Sequence, residues 1–149
     1  MTREEVEKRA FDNYQSGFHC AESISKAVVE LYAEGPSNEI PRIAAGFLGG
    51  IGATHEEVCG ALAGGIIAIG YLFGRMEPGK DIQDARELAA EFRHRFVEEF
   101  GATNCQVLLD GFGNQENAIK CKRLTATAAG LLSELLEKVG PARDGGNVL

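Results

Sequence analysis

An all-α fold, a compact bundle of six or seven helices around a glycine-rich central helix, is predicted by three features of the 149-residue sequence. Apolar residues recur at spacings of three and four along nearly the whole chain, and no strand-length run alternates apolar with polar residues. The segment from Val58 to Phe73 runs sixteen residues without a charge. That is shorter than the roughly 20 residues needed to span a bilayer, so it reads as a helix buried by its neighbours. One helical domain is expected over residues 1–139, with 140–149 a disordered tail that has nothing to pack.

The spacing predicts the first helix from about Arg3 to Ser16, with Thr2 and Glu5 as a capping box, Val6, Ala10 and Tyr14 inward, and Gly17 as its stop. A second helix runs from about Cys20 to Ala33 on a stripe of Ile24, Ala27, Val28 and Leu31, ending before Gly35 and Pro36. The third spans about Ile40 to Leu48, with Ile43, Ala44 and Phe47 inward, and gives way to a turn at GGIGAT. Thr54 with Glu57 suggests a second capping box, from which the central helix would continue to about Arg75. Asp81 is placed as the cap of a long amphipathic helix with Ile82, Ala85, Leu88, Phe92 and Phe96 inward and Gly101 as its stop. A short helix from about Asn104 to Leu109 and a last one from about Gln115 to Lys138 complete the domain.

Each glycine inside a helix costs about 1 kcal/mol relative to alanine, so the run CGALAGG at 59–65 needs a reason. Small residues at Gly60, Ala61, Gly64, Gly65 and Ala68 let neighbouring backbones come close, which makes these glycines packing devices. They also leave room beside Cys59 for a second sulfur, a metal or a small ligand.

Fifteen Lys and Arg against 22 Asp and Glu give a formal charge of −7, with no run of basic residues. Nucleic acid and anionic membrane surfaces are therefore not expected partners, and membrane insertion is not expected. The opening MTREEVEKRA carries charges where a signal peptide needs an apolar stretch, so a cytoplasmic protein is expected. Thiols there stay mostly reduced, and four cysteines are better read as reactive, metal-binding or buried than as permanently bridged.

Those cysteines, Cys20, Cys59, Cys105 and Cys121, all fall on apolar helix faces. GFHC at 17–20 and GATNC at 101–105 each put a sulfur in the first turn of a helix, where free N–H groups and the helix dipole favour a thiolate. Lys120, Lys122 and Arg123 flank Cys121 and act in the same direction or form a solvated basic patch, while Cys59 has no such help and suits a bond-receiving role in the interior. The intervals of 39, 46 and 16 residues contain no CxxC, so spacing alone argues little for a metal, although facing helices can still gather four sulfurs around one ion. His19 adjoins Cys20 and is a candidate base or ligand; His55 and His94 read as surface residues.

Four dispersed cysteines with CGALAG at 59–64 resemble the C_GCAxxG_C_C family, with Gly60, Ala61 and Gly64 matching its CGAxxG element. The resemblance implies a small helical prokaryotic protein, redox-active through Cys20, Cys59, Cys105 and Cys121, with no substrate implied. His19 stands where a small polar residue is expected, so the resemblance gives it no role. Three functions are carried forward. The first is thiol–disulfide exchange or electron and thiol transfer, with Cys20 or Cys105 as thiolate and Cys59 or Cys121 as resolving partner. It needs no cofactor and implies a small thiol or a thiol or disulfide protein as partner. The second is a zinc or iron–sulfur module on the same four cysteines, and the third a helical homo-oligomer with inert core thiols.

Overall fold

The computed structural model describes residues 3–33 and 39–140, among which seven α-helices and one 3-10 turn occur and no strand. Helices α1 (Arg3–Gln15) and α2 (Cys20–Tyr32) form as the spacing predicts, and Gly17 ends α1 with φ of 126°. The expected Thr2 cap, the Gly35–Pro36 stop and all of the expected tail except Gly140 lie outside the described residues.

Helix α3 (Glu39–Ala44) is shorter than expected and passes into a 3-10 turn over Ala45–Phe47. Ile43, expected inward, is 60% exposed, because the buried face of α3 runs through Ile40, Pro41 and Ala44. The central helix α4 (Gly60–Phe73) starts later than the Thr54–Glu57 box implied. Residues 49–53 all take positive φ, including Ile51 at 70° and Ala53 at 59°. Such a left-handed turn cannot open a right-handed helix. Thr54 Oγ1 instead donates to the carbonyls of Gly50 (2.8 Å) and Ile51 (2.9 Å).

Helix α5 (Gln83–Phe100) begins two residues past Asp81, whose carboxylate accepts from the Gln83 N–H at 2.7 Å, and Ile82 is surface-exposed rather than inward. Gly101 caps it in the left-handed conformation as predicted. Helices α6 (Cys105–Phe112) and α7 (Ile119–Val139) follow. The expected start of α7 at Gln115 fails because Asn117 and Ala118 are left-handed, with φ of 51° and 55°.

Helix α4 is the centre of the bundle, packed against α2, α5 and α7, while α1 lies across α2 and α7. Its glycines explain the closeness. A Cβ at Gly64 would collide with the Ala21 carbonyl and lie 2.6 Å from Ile24 Cγ2 on α2, and a Cβ at Gly65 would collide with the Phe92 ring on α5. Phe92, Phe96, Ile24, Ile69 and Leu132 are fully buried around this contact. Ile66 is 38% exposed on the outer side of α4. Among the described residues no helix is long and apolar enough to cross a membrane.

Candidate functional site

All four cysteines open helices. Cys20 and Cys105 are the first residues of α2 and α6, Cys59 is the N-cap of α4, and Cys121 is the third residue of α7. The first-turn placement foreseen for two of them therefore holds for all four, and Cys59, expected to lack help, faces the N–H groups of Ala61 and Leu62. The four helix starts converge, for all four thiols line one cavity of about 320 Å³.

Local backbone fixes these positions. Cys59 N–H donates to the Thr103 carbonyl at 2.7 Å and Cys105 N–H to the Glu57 carbonyl at 2.9 Å, on either side of an isolated antiparallel bridge between Val58 and Asn104. Asn104 adds a side-chain bond to the Glu56 carbonyl (2.9 Å) and caps α6 through Val107 N–H (3.1 Å). The left-handed turn lies over Cys20 and offers it the Gly49 N–H. Gly50 makes this turn possible: its φ is 74° and a Cβ there would sit 2.7 Å from Cys105 Cβ.

Burial decides the electrostatics. A helix N-terminus favours an anion by up to about 2 kcal/mol, whereas full burial can move a pKa by several units. Desolvation wins at three sites: it raises the Cys20 thiol against the opposing N–H groups of Gly49 and Ala21, and pushes Cys59 up to about 12 and Cys105 up to about 11. The early thiolates expected at Cys20 and Cys105 are thus corrected, since both face a closed interior and are only 8% exposed. Charge on Cys20 further opposes ionisation of Cys59 and Cys105, so the sulfurs sense one another. Tyr14, at the cavity rim, is likewise held as a neutral phenol, first by burial and then by the four thiols.

These shifts predict a pH dependence of stability. Unfolded thiols ionise near about 8.5, while Cys105 and Cys59 keep their protons to about 11 and about 12, so between these values the unfolded state binds fewer protons. Stability is then fully present below about pH 8 and lost as pH rises, by up to about 1.4 kcal/mol per pH unit for each such thiol. Denaturant unfolding under reducing conditions should show a steeper loss above about pH 9 in the native chain than in Cys59→Ala. Equal slopes would mean that Cys59 is not held neutral.

Cys121 differs from the other three, being the one of the four that is not buried. Gln115 holds it: the side-chain amide donates to Cys121 Sγ at 3.3 Å, while its oxygen accepts from the N–H groups of Lys120 (2.8 Å) and Cys121 (3.2 Å). Two of its basic neighbours are occupied elsewhere, Lys120 on the Phe112 carbonyl and Lys122 over the Tyr14 ring at 5.9 Å. Gln115 was missed by sequence reasoning because it was read as the first turn of the last helix. Asn117, which tolerates the left-handed conformation, is the signal that a break falls there. His19 and His55 both line the cavity, His55 half-buried and His19 exposed, with the His19 ring edge-on to Tyr14; His94 is a surface residue 3.9 Å from Glu98.

Among the described residues, no three His, Cys, Asp or Glu side chains are arranged to hold a metal ion. The sulfurs share a cavity without sharing a coordination point.

The profile of the family described as "Putative redox-active protein (C_GCAxxG_C_C)" matches residues 18–135, a span that includes every cysteine. No curated protein and no solved structure matches the chain. The family label writes glycine before cysteine, whereas this chain reads Cys59, Gly60, Ala61; here a Cβ at position 60 would collide with Cys20 Sγ, so the glycine makes room for the first cysteine. By this match over residues 18–135 the chain belongs to the C_GCAxxG_C_C family, described as "Putative redox-active protein".

Proposed function

We propose that the protein performs thiol–disulfide exchange in this cavity, with Cys121 attacking and Cys20 resolving. The observation that carries the reading is the joint placement of four thiols on one cavity wall, with Cys121 alone among them not buried. A nucleophile needs access, and a resolving sulfur can lie deeper. Cys20 suits the second role because its sulfur lies over Gly60 at the start of the central helix and its charge couples to those of Cys59, Cys105 and Cys121; Cys105 couples to the same thiols and is the alternative partner. The roles suggested by sequence are thereby exchanged.

The Cys121 thiolate attacks one sulfur of a disulfide, forming a mixed disulfide and releasing the first thiolate. Cys20, losing its proton, then attacks the Cys121 sulfur, forms the Cys20–Cys121 bond and releases the second. Two protein thiols are oxidised, one disulfide is reduced, and the two thiol protons end on the released thiols. Burial raises the Cys20 thiol and makes it a poor leaving group, which favours the Cys20–Cys121 disulfide once formed, so the protein works as the reductant and an external dithiol reductant restores it. A cytoplasmic location, where thiols are kept reduced, fits this cycle.

Zinc or iron–sulfur binding is a second reading, which would require the four sulfurs that line this cavity to draw together around one ion. One experiment separates the readings. Anaerobically purified protein is treated with a limiting alkylating reagent near neutral pH and the modified cysteines are mapped. Exchange predicts that Cys121 is labelled first and that mild oxidation protects it together with Cys20. A bound metal predicts joint protection of all four until a chelator removes the ion. Uniformly slow labelling, unchanged by oxidant or chelator, would refute both and leave inert core thiols.

A further inference from the structure

Among the described residues, the cavity wall contains no lysine, arginine, aspartate or glutamate. Its apolar surface comes chiefly from Leu48, Leu108, Leu109, Phe112 and Leu124, and its volume, about 320 Å³, lies at the small end of the range for small-molecule sites. The polar groups of the wall are the thiols, Tyr14, Gln115, Thr125 and two histidines. The lysines beside Cys121 are engaged at the cavity edge, Lys120 by the Phe112 carbonyl and Lys122 over the Tyr14 ring, so no lysine or arginine side chain lines the interior to pair with a carboxylate. Burying a carboxylate without a partner is heavily disfavoured, and the net charge of −7 adds repulsion at long range.

Resting on the exchange reading above, we propose that the substrate is a small, uncharged, largely apolar disulfide, rather than a charged peptide disulfide. Such a molecule fits between the leucines and Phe112 with one sulfur at Cys121, and its departing half leaves as a neutral thiol after taking up a proton released by the protein. Oxidised glutathione, with several carboxylates, would have to bring them against the apolar wall unpaired.

Second-order rates of the reduced protein are to be measured with uncharged dithiodipyridine, dianionic dithiobis(nitrobenzoate) and oxidised glutathione. Each rate is divided by that of a small uncharged free thiol with the same reagent, at about 0.5 M salt so that the net charge is screened. The uncharged reagent is expected to be favoured over both charged ones by on the order of 100-fold, with closure of the Cys20–Cys121 disulfide seen by peptide mapping. Leu109→Lys, at the half-buried rim, should shrink that preference by roughly tenfold. Equal normalised rates, with the disulfide still closing, would overturn the substrate class while leaving exchange standing. No closure with any reagent would overturn exchange itself. Because the reagent comparison uses the native chain, it decides the matter even if Leu109→Lys does not fold.

Discussion

Cys121→Ser is expected to lower the rate of reaction with uncharged dithiodipyridine by about 100-fold or more, leaving a slow residual reaction of the buried thiols. The estimate follows from their ionisation. With pKa values of about 11 and about 12, Cys105 and Cys59 are thiolate on the order of 100-fold or more less often than an ordinary thiol at about pH 7.5, and burial moves Cys20 in the same direction. Burial slows them again by restricting access. Cys20→Ser should behave differently: Cys121 still attacks, but the reaction stops at the mixed disulfide and releases one small thiol rather than two. Stopped-flow rates and the count of released thiol distinguish the two variants. A Cys121→Ser protein that reacts as fast as the native chain would remove Cys121 from the attacking role.

The helices were legible because most of them bury one face, and burial imposes the spacing of three and four on α1, α2, α5 and α7. Gly17 and Gly101 also ended helices where positive φ was needed. The central segment gave a weaker signal at its start. Apolarity on all sides carries no phase, so nothing in CGALAGG said that the helix begins at Gly60 rather than near Thr54. The capping-box pattern misled there because a non-local arrangement prevailed. Residues 55–59 pair with 103–106, and the left-handed turn before them holds Ile51 and Ala53 at positive φ, which neither residue favours on its own.

The same distinction separates the parts of the site. That the four cysteines matter was readable, and so was the first-turn position of Cys20 and Cys105. Their reactivity was not, because helix position is local whereas desolvation depends on the whole packed cavity. The role of Gln115 was hidden for a related reason: a side chain six residues from Cys121 reaches it only because Asn117 and Ala118 turn the chain back. The three cysteines that sequence could not rank against Cys121 differ from it in burial, a property of tertiary structure.

Gly64→Ala and Gly70→Ala are expected to move stability in opposite directions, although both replace a glycine by the best helix former within α4. At Gly70, which is exposed, an added Cβ meets nothing within 4 Å, so the substitution should stabilise by up to about 1 kcal/mol. At Gly64 it would collide with the Ala21 carbonyl and lie 2.8 Å from Ala21 Cα, backbone atoms that no rotamer change can move aside. Overpacking of this kind costs typically 1–3 kcal/mol, outweighing the propensity gain of about 1 kcal/mol. For a domain of this size each kcal/mol shifts Tm by about 2–4 °C, so thermal melts should separate the two variants by several degrees. The larger consequence reaches the site. Ala21 follows Cys20 at the start of α2, so pushing α2 away from α4 displaces the Cys20 sulfur from its place over Gly60. Gly64→Ala should therefore slow closure of the Cys20–Cys121 disulfide while leaving the first attack by Cys121 near its native rate. Equal melting temperatures for the two variants would mean that α2 and α4 are not in contact at Gly64.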